Sequence, residues 1–314
     1  MEEYIVQRAW DDYKKDFGLG RLMLFIAAFN ALFFFLSGLH FGEFRPLALF
    51  PSILAMLFFW FRPKLLRLPT AYLFVVTCFL LGLITGLNYT LIGQLDQMAG
   101  GLKRLDQFFV NFDLWFFGMH AAHFTERIWQ SLGSFQFLIY DFMIVSYYSY
   151  FLLPYIGASV YFSALKPHQY AHIGRYLISV ALYFQINFLF YLIIPVTGPQ
   201  YFLSGEFNRE LPFSSLGYTL YQGVQNGQAT FIDCFPSGHV GISFLITVWL
   251  LRLKHPARWI FLILSLGIMM ATLSLRYHYL LDVLASIPLA ISCYALSYLL
   301  VPLRSRGSLF GAVH

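Results

Sequence analysis

Charge is what this 314-residue sequence has least of: Asp, Glu, Lys and Arg make up 11% of it, against about 25% in soluble domains. So few charged groups cannot cover a globule with water-compatible surface, which excludes a soluble enzyme, a coiled coil and a disordered chain. Cysteine is scarce too. Cys78, Cys234 and Cys293 are an odd set with two members inside apolar runs, so neither a disulfide framework nor a zinc knuckle follows. No glycine-rich nucleotide loop is present. Residues 1–20 hold no basic start followed by an apolar stretch, so they are not a cleavable signal. They mix Glu2, Asp11, Lys14 and Lys15 with Tyr4, Ile5 and Trp10 and read as an amphipathic surface segment.

What is abundant is apolar: 59% hydrophobic and 20% aromatic residues, with a mean hydropathy of +0.66. The expected fold is an all-α polytopic membrane helical bundle. Uncharged runs long enough for a bilayer core of about 30 Å are Leu22–Gly42, Pro46–Phe61, Leu68–Leu95, Phe142–Leu165, Tyr176–Gly205, Cys234–Leu251, Trp259–Leu275 and Val283–Leu303. That predicts about eight transmembrane helices, three of them in an N-terminal group over 21–95. The net charge of +5 then marks cytoplasmic loops rather than a nucleic-acid partner. With eight spans both termini share a side. Of the 20 basic residues, only Arg45, Lys103, Arg104, Arg127, Arg209 and Arg276 fall on the opposite side, leaving 14 with the termini. The positive-inside rule therefore places both termini in the cytoplasm.

Two connections on the outer side are long. Residues 96–137 carry Phe108, Phe109, Phe112, Trp115, Phe116 and Phe117 among Asp106 and Asp113, a composition suited to helices lying in the headgroup layer. Residues 197–233 form the second. It ends in Cys234-Phe235-Pro236-Ser237-Gly238-His239 and runs straight into a span. A proline and small residues opening a helix leave backbone N–H groups at the positive end of the helix dipole, which can cradle a phosphate. The next outer connection reads Arg276-Tyr277-His278-Tyr279-Leu280-Leu281-Asp282. His278 and Asp282, four apart, share a helix face, so the carboxylate can orient the imidazole. That pair alone is a weak signal; its placement on the same side as His239 strengthens it, because an ionisable cluster at a membrane boundary is a functional-site hypothesis by default.

Together, Pro236-Ser237-Gly238-His239 and Arg276 to Asp282 resemble the second and third signature motifs of the type 2 phosphatidic acid phosphatase (PAP2) superfamily of membrane phosphatases and phosphotransferases. The resemblance implies a six-helix core within 96–303, a tail at 304–314, and a metal-free, cofactor-free site at the extracytoplasmic surface. It implies that His278 attacks phosphorus to form a phosphohistidine, that Asp282 holds His278 in the right tautomer, and that His239 protonates the leaving oxygen. Ser237 and Gly238 would help hold the phosphoryl oxygens. The family's first motif, a Lys followed six residues later by Arg-Pro, is missing before Pro236, and the usual Arg six residues before the histidine is Thr272. Arg276, one helical turn nearer, and Arg209 are the candidates to supply that charge. Pro195-Val196-Thr197-Gly198-Pro199-Gln200-Tyr201, with Tyr147, Tyr148, Tyr150 and Pro154, is similar to the branch containing inositol phosphorylceramide synthases and their bacterial relatives.

The expected partner is accordingly a membrane lipid: a lipid phosphate or phospholipid, with ceramide and polyprenyl lipids as candidates. Water as acceptor makes the chain a lipid phosphatase and a hydroxyl makes it a headgroup transferase; a non-catalytic lipid transporter is the reading from another class. Gln200, Tyr201 and Asp141 are expected in the substrate pocket, although Asp141 also suits a boundary residue. Gln185 and Asn187 read as interhelical hydrogen bonders, and the pairs His168/His172 and His120/His123 as solvated surface without an adjacent carboxylate.

Overall fold

With no water to receive its hydrogen bonds, an apolar segment in a bilayer must satisfy its backbone internally, and a helix does this within one segment. The computed structural model describes residues 19–41, 49–65, 67–68, 70–98, 101–165, 171–207, 209–228 and 230–301. Its helices are α1 (Leu19–Phe41), α2 (Phe50–Leu65), α3 (Thr70–Met98), α4 (Asp106–Phe117), α5 (Ala121–Gln130), α6 (Gln136–Ser149), α7 (Leu153–Ala164), α8 (Ala171–Ile193), α9 (Ser215–Gly227), α10 (Gly238–Leu253), α11 (Arg258–Ser274) and α12 (Leu280–Leu300). Among the described residues there is no strand, only an isolated bridge between Val196 and Asp233. The chain is an all-α helical bundle. Residues 1–18, Arg45, Lys166, His168 and the 304–314 tail lie outside the described residues.

Among the described residues three helices are long and apolar enough to cross a membrane: Tyr72–Gln97, His172–Ile193 and Leu280–Leu300. A fourth span results if α6 and α7 count as one, and Gly20–Leu36, Gly238–Leu253 and Arg258–Ser274 are shorter apolar helices. The expected continuous span Phe142–Leu165 is broken: α6 and α7 meet at a 66° bend. Pro154, in the first turn of α7, fits a helix start but has no N–H with which to extend the helix before it. The expected span Tyr176–Gly205 also ends early. Its helix stops at Ile193, just before Pro195, and the chain then turns through Gly198 at φ +97°.

The core lies where α8 and α10 pack against each other and against α7 and α12. Trp249 of α10 is fully buried there and donates to Ser179 Oγ at 2.9 Å. Peripheral faces are apolar and exposed, as a lipid-facing surface requires; Tyr72, Val75 and Phe79 of α3 are 61–70% exposed. Helix α4 presents Phe108, Trp115 and Phe116 outward while burying Asp106 and Asp113.

Candidate active site

Helix α10 begins where Ser237 caps it: the serine Oγ accepts from Val240 N at 3.3 Å. The segment ahead of it is held by α8, since Tyr183 OH donates to Ser237 O at 2.9 Å and Asn187 Nδ2 to Pro236 O at 2.7 Å. Gly241 leaves room for the Tyr183 ring, which any Cβ there would strike. Helix α12 starts with a reciprocal cap in which Asp282 Oδ2 accepts from Tyr279 N at 2.8 Å. Its carboxylate is thereby fixed before it meets any histidine.

His278 sits between these two helix starts. Its Nδ1 is 3.4 Å from Asp282 Oδ2, and its Nε2 is 3.2 Å from Ser237 Oγ. A carboxylate beside Nδ1 keeps the proton there and leaves the Nε2 lone pair available. Cys234 joins the arrangement, its thiol donating to Asp282 Oδ2 at 2.9 Å with Sγ 3.3 Å from His278 Nδ1. The His239 ring lies 6.3 Å from that of His278, packed on Tyr147 at 4.2 Å and Tyr150 at 4.0 Å, and its buried Nε2 has no partner in the structure.

The turn carrying His278 is clamped by the segment after α8. Gln200 N donates to Arg276 O at 2.8 Å, and a Cβ on Gly198 would stand 2.6 Å from Tyr277 O, so only glycine fits. Thr197 N and Gly198 N donate to Asp106 of α4, which also accepts from Tyr279 OH at 3.0 Å. Asp113, seven residues on and so on the same face of α4, accepts from Leu280 N at 3.0 Å and Ala121 N at 3.0 Å. The aromatic helix α4 thus fastens the start of α12 through two buried carboxylates. The sequence reading placed both in a headgroup-layer segment and missed this; their seven-residue spacing was the available signal.

Burial raises the Asp113 pKa to about 6, outweighing its two backbone hydrogen bonds. A carboxyl whose folded pKa exceeds its unfolded value favours the fold fully below pH about 4 and loses that contribution as pH rises through about 6. Thermal stability in detergent is therefore expected to fall by a few degrees between pH 5 and pH 7. Asp113→Asn should lower stability overall, because one oxygen acceptor is lost, yet flatten that dependence. An unchanged slope in the variant assigns the pH effect to another group.

One cavity of about 580 Å³ connects the site. His278, His239, Gly238 and Gln200 line it, with Asp233 and the tyrosines Tyr89, Tyr147, Tyr150, Tyr191 and Tyr277. Asp233 was not singled out from the sequence. It accepts from Tyr89 OH at 2.6 Å and from Gln228 Nε2 at 3.4 Å, and burial pushes its pKa above the usual carboxylate range. Gln185 bonds Asn88 between helices as expected, but it also lines the cavity, as does Asn187.

Four expected site residues lie elsewhere. Arg276, at φ +68°, sends its guanidinium over the Phe207 ring at 4.3 Å, with Nη2 donating to Arg209 O at 2.9 Å and 3.8 Å from Glu126 Oε2. Neither Arg276 nor Arg209 lines the cavity, and no lysine or arginine among the described residues does. Tyr201 stands behind the wall, donating to Gln228 at 2.6 Å, and Asp141 anchors the second outer loop by accepting from Ser214 N at 3.0 Å. His120 does have a carboxylate partner, Glu206 at 2.9 Å, contributed by that same distant loop. One further grouping concerns metals: Cys234, His278 and Asp282 present ligand atoms within 4.8 Å of one another, donor types that zinc accepts.

Two capped helix starts thus present a carboxylate-held histidine and a second histidine to one cavity. The family model described as the PAP2 superfamily matches residues 119–296, and the chain belongs to that superfamily. A PA-phosphatase related-family protein of Dictyostelium discoideum is 29% identical over 117 residues, covering 36% of this chain and 21% of that protein's length. No solved structure matches.

Proposed function

We propose that the chain is an integral membrane enzyme that moves a phosphoryl group from a lipid through a phosphohistidine on His278. The observation that carries this reading is the pair of imidazoles on one cavity, one oriented by Asp282 and the other with a buried, unpartnered Nε2. His278 Nε2 attacks phosphorus, and the departing oxygen takes a proton from His239. An acceptor hydroxyl then returns a proton to His239 as its oxygen displaces His278 from phosphorus, so His239 acts first as acid and then as base and both histidines are regenerated. Phosphoryl oxygens would rest on the N-terminal N–H groups of α10 at Gly238, beside Ser237. Cys234 is a positioning residue that donates to Asp282 Oδ2, the oxygen that also faces His278 Nδ1 and accepts from Tyr279 N.

That no lysine or arginine among the described residues lines the cavity favours headgroup transfer over hydrolysis of a monoester. A phosphomonoester carries close to two negative charges at neutral pH, which in a dry site call for a guanidinium or ammonium. A phosphodiester carries one, within reach of a helix N-terminus and tyrosine hydroxyls. Purified protein should be offered radiolabelled phosphatidic acid and polyprenyl phosphates alone, and phosphatidylinositol with ceramide, with and without EDTA. The expected product is a new phosphodiester on the hydroxyl acceptor, formed equally with chelator. Release of inorganic phosphate alone would make the protein a phosphatase, and loss in EDTA restored by one metal would reassign Cys234, His278 and Asp282 as ligands.

Eight spans with cytoplasmic termini and an extracytoplasmic site complete the proposal, supported by the 14 to 6 division of basic residues. Cysteine at exposed Ser215, at the start of α9, should react with an impermeant thiol reagent in intact cells, and cysteine at exposed Lys254 should not. The reverse pattern moves the chemistry to the cytoplasmic face. In this arrangement Arg276 braces the outer loop, so Arg276→Lys should weaken the loop's attachment more than the chemical step.

A further inference from the structure

The cavity does not end at the histidines. Along α8 its lining runs from Tyr191 to Tyr176, about 22 Å at 1.5 Å per residue, and along α3 from Tyr89 to Cys78, about 16 Å. That reaches roughly half the thickness of a hydrocarbon core or more. Below Tyr150 the walls lose their carboxylate and imidazole groups and are mostly apolar, with Leu81, Ile84, Leu177, Val180, Ala181 and Phe184 beside the tyrosines Tyr155 and Tyr176. The 66° break between α6 and α7 opens this branch, because it carries Phe151, Pro154 and Tyr155 to its wall.

Gly82 and Gly86 of α3, four apart and so on one face, both line the cavity, whereas Tyr72, Val75 and Phe79 lie nearer the start of the same helix, exposed and outside the cavity lining. A Cβ at Gly86 would meet nothing within 4 Å, and one at Gly82 would meet the Tyr155 hydroxyl. A side chain at Gly86 would enter open space, and one at Gly82 would press on Tyr155. We propose that this branch holds one aliphatic chain of the lipid substrate inside the bundle, with Gly82 and Gly86 of α3 and Tyr155 of α7 setting the length accepted; the proposal rests on reading the histidine end as the phosphoryl-transfer site. A chain drawn from the bilayer exchanges hydrocarbon for hydrocarbon, so the branch selects by packing and shape rather than by burial from water. The substrate class is thus a lipid with at least one long flexible chain whose phosphate sits at the mouth and whose tail lies between α3, α7 and α8 rather than along the outer rim.

Photocrosslinking reads this without turnover. Phosphatidic acid and phosphatidylinositol carrying a diazirine at one chain terminus, in liposomes with the His278→Ala protein, should label Leu81, Leu177 or Val180. Labelling confined to Tyr72, Val75 and Phe79 overturns the proposal. In the otherwise unaltered protein, Gly86→Leu should lower kcat/KM for long-chain substrates tenfold or more relative to short-chain ones with the same headgroup, while Phe79→Ala leaves that ratio unchanged. Equal effects at every chain length, in a variant with normal thermal stability, also overturn it. Internal labelling by lipids that the wild-type protein does not turn over would count against the phosphoryl-transfer reading and leave the chain site standing.

Discussion

His278→Ala is expected to reduce turnover on the order of 10⁴-fold or more, because it removes the group proposed to bond covalently to phosphorus. His239→Ala should behave differently. Its contribution is a proton, worth about 10²–10⁴-fold, and a substrate whose leaving group departs as a stable anion does not need it. An activated aryl phosphodiester should therefore restore much of the His239→Ala rate and none of the His278→Ala rate. Asp282→Asn should fall between them: the amide can turn its NH₂ toward Nδ1, which disfavours the tautomer that frees the Nε2 lone pair, and it must also accept from Tyr279 N and Cys234 Sγ. The measurement is single-turnover phosphorylation of purified protein, followed by acid lability of the labelled residue. Near-normal labelling of His278→Ala would overturn the assignment.

Gly198→Ala, although it removes no functional group, is expected to cost about 10²-fold in kcat. The residue sits at φ +97°, where an L side chain is strained, and its Cβ would lie 2.6 Å from the carbonyl of Tyr277. That carbonyl belongs to the residue before His278, so relief of the clash displaces the imidazole, and a shift of about 1 Å is enough for such a loss. Gly205→Ala is the matched control in the same loop, with an ordinary φ and nothing within 4 Å of the added methyl. It should keep wild-type kinetics. Should Gly198→Ala do so as well, the clamp does not position His278.

The apolar runs were legible because a bilayer forces them to be continuous and helical, and each overlaps helix in the fold, Phe142–Leu165 two helices rather than one. Where the expectation failed, at Pro154 and after Ile193, uninterrupted hydropathy hid a change of backbone direction made by proline and glycine. Hydropathy measures how well a residue tolerates lipid and is silent about its φ and ψ. The placement of Arg276 shows the same limit. Its sequence position beside His278 suggested a phosphate contact, but its left-handed backbone and the Phe207 ring take the guanidinium away from the cavity.

The sequence by itself determined the all-α helical architecture and marked His239, His278 and Asp282 as candidates near two helix starts; the expected shared helix face of His278 and Asp282 is not what joins them, since His278 precedes α12 and its cap Tyr279. Only the tertiary structure decided what surrounds them. Asp106 reaches Tyr279 across 173 residues of chain, Cys234 meets Asp282 from a different helix start, and the lower cavity exists because α3, α7 and α8 fail to close against one another at two glycines and a bend. Such contacts depend on how whole helices pack, a property summed over many weak apolar interactions that no short stretch of residues records.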